Sequence, residues 1–226
     1  MPWFQAKPAS TEWGWHWTMG RVDPDKGHIA SHYRPLLGAY DSGDPHVLEA
    51  HVLWMRLSGA KAVILDWYGI EDVLDYGMIH RNVQRLVPWL KKAGLRFAIC
   101  YEDQTLPKLK ALGRIRSEAG HAREVVDWLA LHWFSDPAYL RYEGKPLLLV
   151  FGPQALKGDE WPEVLGRRDL AVFGVAGPHR FGNGGFAWPD PNGKADDEHG
   201  LKGFHERARN KPFVAGAFPG FHDFYK

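Results

Sequence analysis

Apolar runs and segments of helical period alternate along the chain. "KAVILDWYG" (61–69), "LRFAICYED" (95–103), "KPLLLVFGP" (145–153) and "DLAVFGVAG" (169–177) are apolar throughout and bounded by charge, glycine or proline. Such runs predict strands buried on both faces. "MPWFQ", "GGFAWPD" and "KPFVAGAFPGFHD" are shorter or weaker strand signals. Between them lie helices. Asp44 and Pro45 form a capped start, Val47, Leu48, His51, Val52 and Met55 follow at helical spacing, and Gly59 stops the run. A second helix over 71–93 carries Ile79, Val83, Leu86 and Leu90 on one face and ends at Gly94. Further helices are predicted at 105–112, at 117–134 with Val125, Trp128, Leu129 and Leu131 apolar, at 159–166 and at 198–209, and "YEGK" reads as a turn. The alternation implies an α/β fold with a parallel sheet, as one domain over residues 1–226.

Two architectures fit, a doubly wound open sheet and a (β/α)8 barrel. A doubly wound nucleotide binder places a glycine-rich turn after its first strand, and none stands there. The strand ends instead carry Trp3, Asp66-Trp67-Tyr68, Tyr101-Glu102-Asp103, Trp188 with Asp190, and His222-Asp223. Functional side chains at the C-terminal ends of several strands characterise a TIM-type barrel. Seven strands can be counted, so the expected fold is a (β/α)8 barrel that is truncated or incomplete. The open edges of such a barrel predict pairing with another copy of the chain.

Composition sharpens this picture. The chain holds 11 Trp, 8 Tyr and 12 Phe, many beside glycine, proline or histidine. Rigid rings in loops suit the apolar C–H faces of sugars, while about half belong to an aromatic core. Glycosidases use paired carboxylates. Glu102 is the first candidate: a strand-end carboxyl walled by Tyr101 has a raised pKa suited to proton donation, unless it pairs with an arginine or caps the next helix. Asp66 and Asp223 are the other catalytic candidates, the latter also suited to simple turn chemistry. Asp103 fits helix capping as well as substrate contact. His16, within "WGWHW", is expected to hydrogen-bond substrate or backbone.

Other chemistries are weaker. His28 and His32 lie four apart without a glutamate between them, so no metal site is expected. "FGNGGF" (181–186) lacks the strand-before, helix-after context of a phosphate loop and reads as a turn, although a phospho-ligand remains an alternative. No G-x-S-x-G occurs. Cys100 sits in an apolar run and reads as an inert core thiol. A formal net charge of +1 gives no general attraction for nucleic acid or anionic membrane. No apolar run reaches membrane-spanning length, and "MPWFQAKPAS" lacks the features of a signal peptide.

"WGWHWT", "HYRPLLGAYDSGDPHVLEAHVLWMRLSGAKAVILDWYG", "FAICYEDQ", "YEGKPLLLVFGP" and "FPGFHD", in this order, resemble the glycoside hydrolase 71/99-like proteins, which include endo-α-1,2-mannosidases. The resemblance spans nearly the whole chain. It implies a (β/α)8 barrel and a retaining glycosidase acting on a polysaccharide or glycan, without an obligatory cofactor or metal. Glu102 would contact the sugar and Trp67 would line the cleft, with Tyr68, Trp188 and Asp223 as weaker correspondences; Trp3, Tyr101, Asp103 and His222 are substrate-binding candidates from their strand-end positions alone. The family's catalytic pair lies in an "NEWHEG"-type motif, which this sequence lacks. Weak hydrolysis, or carbohydrate binding without catalysis, is the matching expectation.

Overall fold

The computed structural model describes residues 13–175, 179–188, 202–203, 205–206, 209 and 211–217. The chain divides into two compact units, one holding the described residues up to Phe97 and the other those from Ala98 onward. The strand expected at 1–5 and much of the helix expected at 198–209 lie outside the described residues.

In the first unit, α1 (Trp15–Thr18) precedes α2 (Pro45–Leu57), β1 (Ala62–Trp67) and α3 (Tyr76–Lys92). "YDSGDP" is structural throughout. The Asp44 carboxylate accepts the His46 N–H at 2.7 Å and the Val47 N–H at 3.4 Å, closing the start of α2. Asp41 Oδ1 accepts the Gly43 N–H at 2.8 Å and Asn82 Nδ2 at 3.4 Å, and Ser42 Oγ accepts Asn82 Nδ2 at 2.9 Å. Asn82 is wholly buried on α3, so these bonds fix the segment to that helix. α3 buries Ile79, Val83, Leu86 and Leu90 as its period predicts, but begins at Tyr76 rather than 71. Leu74 has φ 53°, and the Val73 N–H bonds to the Glu71 carbonyl, so tight turns occupy the missing first turn. Tyr40 packs edge-on against Trp17 at 5.5 Å and against His51 at 5.1 Å.

The unit boundary falls inside β2 (Arg96–Glu102). The second unit continues through a 3₁₀ turn (Asp103–Thr105), α4 (Leu106–Ala111), α5 (Glu118–His132), β3 (Arg141–Tyr142), β4 (Lys145–Phe151), α6 (Trp161–Leu165), β5 (Ala171–Val175), β6 (Gly184–Phe186) and β7 (Phe213–Val214). Strands run in the order β2-β4-β5-β6-β7, each pair parallel, with β3 antiparallel to β4. Phe97, Ile99, Leu148, Val150 and Phe173 are all at most 2% exposed, the covered sheet that uniform apolar runs require.

β3 escaped sequence reading because it is only two residues long. The "YEGK" turn is a two-residue hairpin joining it to β4: Tyr142 pairs with Lys145, and Glu143 and Gly144 have φ 50° and 80°. Both left-handed centres are what a type I′ turn demands, and glycine supplies the second at no steric cost. The buried face of α5 is His121, Ala122, Val125, Val126 and Leu129. Leu131, apolar in the same segment, is exposed, and Trp128 stacks on His132 at 4.4 Å. "GNGG" runs directly into β6. Asn183 donates its N–H to the Val172 carbonyl at 2.7 Å and accepts the Val172 N–H through Oδ1 at 2.9 Å. Its amides are engaged with β5 rather than open to a phosphate.

Candidate functional site

In the first unit, the C-terminal end of β1 carries Asp66, Trp67 and Tyr68. Asp66 is buried at 8% exposure and accepts the Tyr68 hydroxyl at 3.3 Å through Oδ2. Tyr68 is half-buried and stacks on Tyr76 with centroids 4.1 Å apart. His16 packs against both tyrosines, at 5.6 Å and 5.4 Å. Its Nδ1 lies 2.8 Å from Asp75 Oδ1, and its backbone N–H donates to Asp75 Oδ2 at 2.9 Å. Both groups are buried, at 4% and 5% exposure. A carboxylate gripping a histidine at ring and backbone fixes the ring plane and its tautomer. His16 was expected to bond substrate or backbone; its partner here is this carboxylate, just before α3. Trp67, expected to stack on a sugar, is a core residue. It has no exposed surface, and its indole N–H donates to His80 Nδ1 on α3 at 3.2 Å.

The second unit builds its rim from the ends of β2 and β4. Glu102 ends β2, faces Phe151 across the parallel ladder and is 5% exposed. Its Oε2 accepts Gln104 Nε2 at 2.6 Å and Gln154 Nε2 at 3.2 Å. Both glutamines are exposed, so their amides flank the carboxylate on the solvent side. Phe151 and Trp188 are half-buried and pack at 4.6 Å, giving an aromatic pair beside the same strand ends. Two neighbours are corrected by their burial. Tyr101 is wholly inside and meets Trp161 edge-on at 6.2 Å, and burial, then the Asp103 charge, push its phenol up. Asp103 has no exposed surface either. Its Oδ1 accepts the Gln154 N–H at 2.8 Å and its Oδ2 accepts those of Ala155 and Leu156 at 3.1 and 2.8 Å. It anchors the loop after β4 and has no face for a sugar. Gly152 permits that approach: a Cβ there would sit 2.7 Å from the Gln154 nitrogen and 3.1 Å from Asp103 Oδ1.

Trp3, His222 and Asp223 lie outside the described residues. Among the described residues, no group of three or more His, Cys, Asp or Glu is arranged to hold a metal, and no helix is long and apolar enough to cross a membrane. Sequence reading missed Asp75, Gln104, Gln154 and Phe151. The rule that flagged Glu102, a side chain at the C-terminal end of a strand, also reaches Phe151 and Gln154 in "VFGPQ". Asp75 was hidden inside a helix predicted to start too early.

The family model described as glycosyl hydrolase family 99 matches residues 15–171. A glycoprotein endo-alpha-1,2-mannosidase-like protein of Danio rerio is 44% identical over 153 residues, which are 65% of this chain and 32% of that protein. The chain therefore spans about a third of the length of this curated relative. Among solved structures, the GH99 endo-alpha-mannosidase from Bacteroides thetaiotaomicron matches with a TM-score of 0.68 at 20% identity, over 94% of this chain and 67% of that one. The same enzyme in complex with bis-tris-propane matches at 0.67 and 22% identity, over 94% and 66%. At these identities the likeness carries the fold: an α/β chain holding six to seven strands of a TIM-type barrel.

Proposed function

The chain belongs to glycosyl hydrolase family 99, and from that premise we propose that it acts on an α-mannoside-containing oligosaccharide, with Glu102 as the carboxylate that meets the sugar. Glycoside-hydrolase lineage makes it a carbohydrate-active protein; the mannoside, taken from the names of its relatives, and hydrolysis by this chain are the proposal. The observation that carries it is Glu102 at the end of β2, flanked by exposed amides and adjacent in the ladder to Phe151, which packs on Trp188. A carboxylate beside half-buried rings offers a sugar both of its needs, a charged acceptor for hydroxyls and apolar faces for its C–H edges. Trp188 supplies such a ring; Trp67 does not.

A retaining hydrolysis needs a second carboxyl group. Asp66, a strand-end carboxylate held by Tyr68, and Asp223 are the candidates. The test is product analysis with α-1,2-linked mannobiose and longer mannosides. Glu102→Gln should abolish turnover, and Asp66→Asn and Asp223→Asn should separate the second carboxylate from a bystander. Binding by the wild type without any turnover would assign the chain to the non-catalytic, carbohydrate-binding class. The absence of both binding and turnover would overturn the reading.

A further inference from the structure

We infer that Gln154 is the positioning residue of Glu102, set in place by Asp103 so that the loop after β4 aims the carboxylate that ends β2. This rests on the reading of Glu102 as the sugar-facing group. Gln154 is held at two points by consecutive residues: its backbone N–H by Asp103 Oδ1 at 2.8 Å, and its side chain by Glu102 Oε2 at 3.2 Å. The same Nε2 also donates to the Phe151 carbonyl at 3.1 Å. An amide nitrogen has two hydrogens, and these two acceptors account for both. The side chain therefore bridges the last carbonyl of β4 and the last carboxylate of β2.

A solvated glutamine ordinarily samples several rotamers. Gln154 is exposed, yet three bonds hold it. Asp103 makes this possible by taking the N–H groups of 154, 155 and 156, which would otherwise leave the loop dependent on water. The arrangement orients one Glu102 oxygen before substrate arrives, and an acceptor fixed in advance saves ordering entropy at binding. Gln104, at 2.6 Å on the same oxygen, comes from the β2 side and completes the pair of amides.

The experiment has two arms. The first follows the side-chain amide resonances of Gln154 by 15N NMR in the wild type and in Glu102→Gln, without ligand. The Gln154 pair should move on removal of the charge; an unmoved pair would overturn the inference. The second titrates α-1,2-mannobiose into wild type, Gln154→Leu, Glu102→Gln and the double variant. Gln154→Leu should weaken binding roughly tenfold, the scale of a hydrogen bond to a charged group, and should cost almost nothing further in the Glu102→Gln background. An equal loss in both backgrounds would show that Gln154 acts independently of Glu102 and would refute positioning. Should the wild type bind no mannobiose while the amide resonances respond to Glu102→Gln, the sugar reading fails and the bridge between Gln154 and Glu102 stands.

Discussion

Asp103 and Glu102 are neighbours with opposite assignments, and their surroundings make the difference. Asp103 has no exposed surface and faces three backbone N–H groups, whereas Glu102 faces two exposed amides. Asp103→Ala should destabilise the protein by about 3 kcal/mol or more, since several buried donors lose their acceptor at once; chemical denaturation measures it. Tyr139 is held similarly. It donates to the Leu147 carbonyl at 2.9 Å and accepts the Ile99 N–H at 3.3 Å, and its ring is 1% exposed. Tyr139→Phe should cost roughly 1–3 kcal/mol with no change of fold. Tyr40 and His51 give the residue-scale pH dependence. Burial pushes the Tyr40 phenol up to about 12 and the His51 imidazole below its usual 6.5. Both neutral forms are favoured in the folded chain. The Tyr40 contribution is complete below pH 10 and is lost between about 10 and 12; that of His51 is complete above 6.5 and fades as pH falls below it. Thermal melts across pH should show Tyr40→Phe losing less stability than the wild type above pH 10.

At the scale of elements, periodicity and capping located α2 and α3, and apolar runs located β1, β2, β4 and β5. Those signals are local: a carboxylate before a proline, an aliphatic residue at each turn, an apolar run with charge near its ends. Asp44→Ala should therefore cost about 1 kcal/mol through the cap alone, read by the shift of the thermal midpoint. What was not legible depends on partners distant in sequence. Nothing in "WGWHW" announces that His16 meets Asp75, and nothing in "CYEDQ" announces that Asp103 reaches residues 154–156. The candidate site was half legible for the same reason. Strand-end position singles out Glu102 and Asp66 as candidates, but the difference in exposure between buried Trp67 and half-buried Trp188 comes from packing. β6 and β7 are short, and their glycine-rich or proline-bounded sequences gave weak signals.

For the whole molecule, the strand order among the described residues ends at β7, which pairs with β6. From its sequence, the chain is expected to associate with a second copy through a sheet edge. Sedimentation over a hundredfold range of concentration should show reversible self-association, and a monomer throughout would remove that part of the reading. Family 99 membership and the parallel strand order agree with each other, so a change that leaves the sheet intact can alter the rim alone.

The grip of Asp103 on the loop after β4 also has a kinetic signature. Exposed loops normally exchange their amide hydrogens with solvent through small local openings. The amides of Gln154, Ala155 and Leu156 point instead at a carboxylate with no exposed surface. In deuterium oxide they should exchange on the timescale of β4 itself, and Asp103→Asn should release at least one of them by orders of magnitude. A protease that cuts flexible loops should likewise spare this one while the sheet is folded. The segment carrying Gln154 is irregular in backbone shape, yet it should open only when β2 and β4, which its bonds tie together, come apart.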